Sequence, residues 1–201
     1  MKEEIKNLLE FLREQNIDYA DVRVNEIIQE SIVTENMTVQ TLSTTSTYGY
    51  GIRVFLDGSM GFASSQDFSM LKQTALLAID IARASRKVQK SPIRLGVKPV
   101  IVDHYETPVK EDPFTISKKD KIQLLFDAEK SMQEAAPKIF RTHGALGFRK
   151  EKKIFADTDG SYITQTLVES GGGIDAVAVT KGDMQTRSYP NSARGNYATA
   201  G

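Results

Sequence analysis

The stretch Tyr48-Gly49-Tyr50-Gly51-Ile52-Arg53-Val54-Phe55-Leu56-Asp57-Gly58-Ser59-Met60-Gly61-Phe62-Ala63-Ser64-Ser65 decides the fold class. Tyr50 to Leu56 reads as a strand with alternating sides. Asp57-Gly58 is a strong two-residue hairpin signal, and Met60 to Ser64 returns as a short strand. Two strands joined by so short a turn must run antiparallel. Gly49 and Gly51 open a strand, whereas a phosphate-binding loop opens a helix. Their expected role is turn geometry and close backbone approach.

On the N-terminal side, Ile5, Leu8, Leu9 and Leu12 fall on one helical stripe, with Asn16 as a stop. Ala20, Val22 and Val24 then alternate with Asp21, Arg23 and Asn25, as in a half-buried strand. The alternation slips at Ile27-Ile28, which suggests a bulge or bend. A second alternating stretch runs from Ile32 to Leu42.

On the C-terminal side, a helix is expected from about Asp67, a fair N-cap, to Arg86. Leu71, Ala75, Ala78, Ile79 and Ala82 form its buried face. Lys87 to Pro99 is a polar connection with two prolines. Val100 to Val102 suggests one short strand, and Val109 to Phe114 a loop. A third helix runs from Ser117, with Asp120 completing a capping box, to Ala135, with Ile122, Leu125, Phe126 and Met132 inward. Strands follow at Lys152 to Ala156, Tyr162 to Glu169, Ile174 to Thr180 after the Gly171-Gly172-Gly173 run, and Met184 to Tyr189. The expected class is α+β: antiparallel sheets with about three helices, in two helix-plus-strands subdomains at residues 1–90 and 100–195. Residues 196–201 read as a linker toward a C-terminal domain missing from this sequence.

The inventory narrows the chemistry. The chain has 201 residues, and its 26 basic and 26 acidic side chains cancel. A nucleic-acid binder shows a basic excess or stripe; the run Arg149 to Lys153 is interrupted by Glu151, so no direct nucleic-acid contact is expected. With no cysteine, disulfides, thiolate nucleophiles and iron–sulfur ligation are ruled out. The first fifteen residues are charged and amphipathic, unlike a signal peptide, and no apolar run approaches the ~20 residues of a membrane span. The sequon Asn36-Met37-Thr38 reads as coincidental.

Candidate centres are sparse. His104 and His143 stand far apart, outside any spacing that puts two ligands on one helix face. His104 has Asp103 and Glu106 beside it but reads as a surface loop residue; His143 reads as a member of a strand pair. Asp157-x-Asp159-Gly160 lacks the twelfth-position ligand and flanking helices of a calcium loop and reads as a hairpin turn. No serine lies in a Gly-x-Ser-x-Gly elbow. No complete catalytic centre is recognisable, although 26 acidic residues leave a carboxylate pair open.

Three ordered segments carry a resemblance. They are Tyr48 to Phe55 continuing through Asp57-Gly58 to Ser65; Ile154-Phe155-Ala156 before Asp159-Gly160-Ser161; and Met184-Gln185-Thr186-Arg187-Ser188-Tyr189-Pro190-Asn191-Ser192. With Ala20-Asp21-Val22-Arg23, they make almost the whole chain resemble the N-terminal half of the TldD/PmbA proteins, modulators of DNA gyrase understood as zinc metallopeptidases. The resemblance implies a cytoplasmic peptidase acting on unfolded peptides, working as a homo- or heterodimer. Its zinc would be held by a His-Glu-x-x-x-His motif in a C-terminal domain that this sequence does not contain. No catalytic residue and no metal ligand carries over, so this chain is expected to hold no cofactor and to be inactive alone. The motif positions that carry over are Gly49, Gly51, Arg53, Gly61, Arg187 and Pro190, mainly structural, with Arg53 and Arg187 as possible contacts to a substrate carboxylate. The alternatives are a non-catalytic scaffold or partner subunit of such a peptidase complex, and an unrelated β-rich binding domain.

Overall fold

The computed structural model describes residues 1–96, 98–190 and 197–199. The elements are α1 (Lys2–Arg13), β1 (Tyr19–Glu35), β2 (Thr38–Leu56), β3 (Ser59–Ser65), α2 (Leu71–Arg86), β4 (Val102–Glu106), α3 (Lys118–Ala135), β5 (Ile139–Asp157), β6 (Tyr162–Thr180), β7 (Asp183–Tyr189) and β8 (Tyr197–Thr199). The class is α+β. The chain forms two compact units. Unit 1 is Met1–Ile27, Thr47–Glu106 and Glu151–Thr166; unit 2 is Ile28–Ser46, Thr107–Lys150 and Leu167–Gly201. None of the described helices is long and apolar enough to cross a membrane.

In unit 1 the strand order is β3-β2-β1-β5-β6-β4. The α1 stripe Ile5, Leu8, Leu9 and Leu12 is buried as its spacing demands. It joins Ala20, Val22, Val24, Tyr50, Ile52 and Val54 in one core with α2. Each leucine, isoleucine or valine among them contributes about 1.5–3 kcal/mol by leaving water. The Asp57-Gly58 hairpin sets Ile52 opposite Ala63 and Arg53 opposite Phe62. A single 3₁₀ turn, Phe68–Met70, leads into α2, and the Asp67 carboxylate accepts its Ser69 N–H at 2.9 Å. The small residues Ala75, Ala78 and Ala82 are fully buried, which lets α2 lie close on the sheet. β4 departs from the expected antiparallel pattern: it runs parallel to β6, with Val102 beside Tyr162. It also starts at Val102, where the sequence reading ended that strand, and the Ile101 carbonyl accepts the Tyr162 N–H at 2.9 Å.

In unit 2 the order is β2-β1-β5-β6, with β7 and β8 both pairing β6. Three sequence expectations are corrected here. The stretch from Ile32 to Leu42 is two strands, reversed at Asn36-Met37, both with positive φ (48° and 56°). Lacking a glycine, that turn is held from outside: Asn36 Oδ1 accepts the Thr142 N–H at 2.9 Å, and Glu129 Oε2 accepts the Met37 N–H at 2.6 Å. Second, the Gly171-Gly172-Gly173 run lies inside β6. A Cβ on Gly172 would stand 2.6 Å from the Ala145 carbonyl oxygen, so the glycine admits close approach of β5. Third, β1 runs unbroken past Ile27-Ile28; Ala20, Val22 and Val24 before that point and Glu30, Ile32 and Thr34 after it are buried in the same alternating parity. Of the residues expected in a linker, 197–199 form β8, and Asn196, Ala200 and Gly201 lie outside the described residues.

Candidate functional site

The motif positions fall in both units. Gly49, Gly51, Arg53 and Gly61 sit on the β2–β3 hairpin of unit 1. Gly61 is the most constrained: a Cβ there would stand 1.9 Å from the Ala78 carbonyl oxygen and 2.5 Å from the Ala82 nitrogen, both α2 backbone. At Gly51 a Cβ would stand 2.7 Å from the Phe62 ring, and at Gly49 3.3 Å from the Ser65 carbonyl oxygen. These glycines let the hairpin close and let Phe62 lie across it, beside an open groove of about 450 Å³ that includes Arg23, Thr47 and Ser64.

Arg53 is committed to the protein itself. Its Nε and Nη2 donate to Asp21 Oδ2 at 2.8 and 2.6 Å, while Arg23 Nε donates to Oδ1 at 3.2 Å. Asp21 is 1% exposed. Two guanidinium groups compensate one desolvated carboxylate. The residue types were legible as Ala20-Asp21-Val22-Arg23 and Gly51-Ile52-Arg53; their meeting depends on β1 lying beside β2.

A second charged cluster in unit 1 was invisible to the sequence reading. Lys98 Nζ bonds Asp157 Oδ2 and donates to the Tyr19 hydroxyl at 2.7 Å, with the Tyr19 ring centroid 4.1 Å away. Asp157 also accepts the N–H groups of Gly160 and Ser161, each at 2.9 Å. Burial alone would raise the Asp157 pKa, but the bonds from Lys98 and Ser161 outweigh it and hold it below the usual carboxylate range. Burial likewise opposes the charge on Lys98, and the bonds to Asp157 and Tyr19 outweigh it, so its pKa is raised. Tyr19 is raised, chiefly by burial. The Asp157-x-Asp159-Gly160 segment is therefore a turn closed by its own aspartate.

Unit 2 holds charge in its interior. On α3 the fully buried face is Lys121, Leu125 and Glu129, an i, i+4, i+8 series. Ile122, Phe126 and Met132, expected inward, are only half-buried. Lys121 Nζ donates to Glu30 Oε1 at 2.5 Å, with the Phe148 ring centroid 4.3 Å away. Glu129 accepts from the Thr34 hydroxyl, the Thr142 hydroxyl at 3.1 Å and the Met37 N–H. Beside Glu30 opens a cavity of about 630 Å³ lined by hydroxyl, amide and charged groups, among them Gln29, Ser31, Ser43, Thr45 and Glu169. It can offer hydrogen bonds to a polar ligand.

Arg187 and Pro190 lie at the far end of unit 2's chain. Arg187 stands opposite Ala176 on β7, and all seven β7 residues are exposed. Its Nη1 donates to the Thr186 carbonyl at 2.8 Å. Pro190 follows Tyr189 through a cis bond. Asn191 and Ser192, the end of that motif, lie outside the described residues.

The histidines do not assemble a centre. His104 is an exposed β4 residue rather than a loop one, with Nε2 3.2 Å from Glu106 and Nδ1 2.6 Å from the Thr164 hydroxyl. His143 Nδ1 is 2.8 Å from Asp175. Among the described residues no three His, Asp or Glu side chains are grouped to hold a metal ion. One imidazole with one carboxylate falls short of the three or four protein ligands of a zinc site, so these residues do not fit zinc.

A single antiparallel-rich sheet with helices, glycine-fitted hairpins and buried ion pairs defines an α+β scaffold, and comparison with known proteins gives its kind. Residues 20–85 match the PmbA/TldA metallopeptidase domain 1, and residues 111–198 match the PmbA/TldA metallopeptidase central domain. The chain belongs to this PmbA/TldD family. It is 25% identical over 170 residues to a metalloprotease of Methanocaldococcus jannaschii, covering 84% of this chain and 37% of that protein. It therefore spans little more than a third of that relative's length. Among solved structures, a putative modulator of DNA gyrase from Thermotoga maritima superposes with a TM-score of 0.76 at 17% identity, over 93% of this chain and 42% of that one. TldE from Thermococcus kodakarensis superposes with a TM-score of 0.74 at 17% identity, over 92% and 42%. These two likenesses concern the fold.

Proposed function

We propose that these residues are the N-terminal region of a zinc-dependent, TldD/PmbA-type metallopeptidase of the cytoplasm that acts on unfolded peptides. In this reading the region shapes the substrate cleft and contributes to a homo- or heterodimer, while the metal is held by a C-terminal domain. The carrying observation is the match to the family's first and central domains, in order, on a chain whose own donor groups do not fit zinc. The two-subdomain division at residues 1–90 and 100–195 belongs to the same proposal.

The chain's own contribution is binding. An unfolded peptide can add as a strand, with main-chain hydrogen bonds giving affinity that tolerates any sequence. β7 is a suitable edge, exposed along its length. Of the two arginines considered for a substrate carboxylate, Arg187 is the better placed, because Arg53 gives two donors to Asp21. Zinc, when bound to the whole enzyme, would supply Lewis acidity and a reactive water.

The 201-residue chain, incubated with a quenched fluorescent unfolded peptide and added zinc, should show no turnover that a chelator abolishes. Chelator-sensitive cleavage by this chain would overturn the division of labour. The second reading, a non-catalytic scaffold or partner subunit, is favoured by the same donor set. A His-Glu-x-x-x-His motif encoded after Gly201 decides for the first reading, and an altered motif for the second.

A further inference from the structure

The first half of β2 is an unguarded sheet edge. Residues Thr38 to Ser46, Thr-Val-Gln-Thr-Leu-Ser-Thr-Thr-Ser, contain no charge, proline or glycine, and every one of them is exposed. β3, the neighbour on the outer side of β2, pairs only with Tyr50 to Leu56. Among the described residues no strand lies beside 38–46 on that side. Lys118 Nζ reaches the Thr44 hydroxyl at 2.9 Å, a side-chain contact that leaves the main-chain edge uncovered.

Sheet edges that stay unpaired are blunted by charges, prolines, bulges or a covering element. The β4 edge follows that rule, carrying Asp103 and Glu106. The β2 edge instead combines threonine, valine and leucine, residues that favour strands, with the N–H and C=O groups of a regular hairpin. A two-residue turn places Glu35 opposite Thr38 as a hydrogen-bonded pair. Alternation then turns the main-chain groups of Val39, Thr41, Ser43 and Thr45 outward.

We infer that this edge pairs with the same edge of a second copy of the chain, antiparallel and centred on Leu42. The sequence is self-complementary about that point. Thr41 meets the second Ser43 and Val39 meets the second Thr45 in hydrogen-bonded positions, about eight main-chain bonds in all. The two Leu42 side chains meet at the two-fold axis in a non-hydrogen-bonded position, where side chains approach most closely. No like charges face each other, and the chain's net charge is zero. The assignment deepens the dimer part of the functional reading and rests on it.

Sedimentation of the 201-residue chain over ~1–100 µM, the range expected of a modest interface, should show a concentration-dependent dimer. Leu42→Lys, which sets two ammonium groups opposite each other, should weaken it at least tenfold with the circular dichroism spectrum unchanged. Val88→Lys, on a side chain of unit 1 that is 82% exposed, should leave it intact. A dimer indifferent to Leu42→Lys overturns this assignment and leaves the functional reading standing. A chain monomeric at every concentration overturns the assignment together with the homodimer reading. Hydrogen-exchange protection at Val39 to Thr45 that appears only with added unfolded peptide gives the edge to substrate, and also overturns it.

Discussion

Gly61 shows how strictly one residue can be dictated. Its missing Cβ is the space occupied by the α2 backbone at Ala78 and Ala82. Backbone atoms of a packed helix cannot step aside as the end of a side chain can. Gly61→Ala should therefore cost about 1–3 kcal/mol or more, read as a lower urea midpoint. Gly96→Ala, where nothing stands within 4 Å, should be near neutral. The sequence marked Gly61 as special only through the family resemblance. The reason for it, a helix from residues 71–86 crossing at that point, is a long-range fact.

At the scale of elements, much was legible because the signals were local. The α1 stripe, the Ser117 cap and the Asp57-Gly58 turn all act within a few residues and stand as read, whereas Asp67 caps the 3₁₀ turn that precedes α2 and not α2 itself. What was not legible depended on partners far along the chain. Asn36-Met37 turns because Thr142 and Glu129 hold it, and β6 continues through three glycines because β5 comes close there. The inward face of α3 was misread for a related reason. Lys121 and Glu129 share the spacing of Leu125, but charged residues are assigned to solvent unless partners are known, and the partners sit on β1 and β5. This yields a test at the element scale. Lys121→Met alone leaves Glu30 buried without its cation and should cost about 3–5 kcal/mol in chemical denaturation. Adding Glu30→Leu should recover most of that loss; a double variant no better than the single one would mean the pair is not the source of the cost.

Across the whole molecule, balanced charge hides strong local pairing. The folded pKa values of Asp157 and Asp112 both lie below the usual carboxylate range, Asp112 chiefly through its bond with Lys150. A carboxylate with a depressed folded pKa adds stability above its unfolded value of about 3.9, and that stability is lost as pH falls through the folded value. The melting temperature should accordingly drop as the pH is lowered below about 4. Lys98→Met removes the group that holds Asp157 charged against its burial, and should flatten this acid limb. For Lys98 the sign reverses: its raised pKa contributes fully below the unfolded value of about 10.4 and is lost as pH climbs through the folded one.

Each compact unit draws on three separate stretches of chain, and β1, β2, β5 and β6 supply residues to both. No single cut can then release either unit as a fragment. A cleavage between residues 87 and 101 would leave unit 1 without its β5 and β6 segments and unit 2 without its β1–β2 hairpin. Each piece would carry sheet edges whose native neighbours sit on the other piece. The polar connection between the helices is thus a place where the chain can be split for complementation, with two halves that fold on meeting.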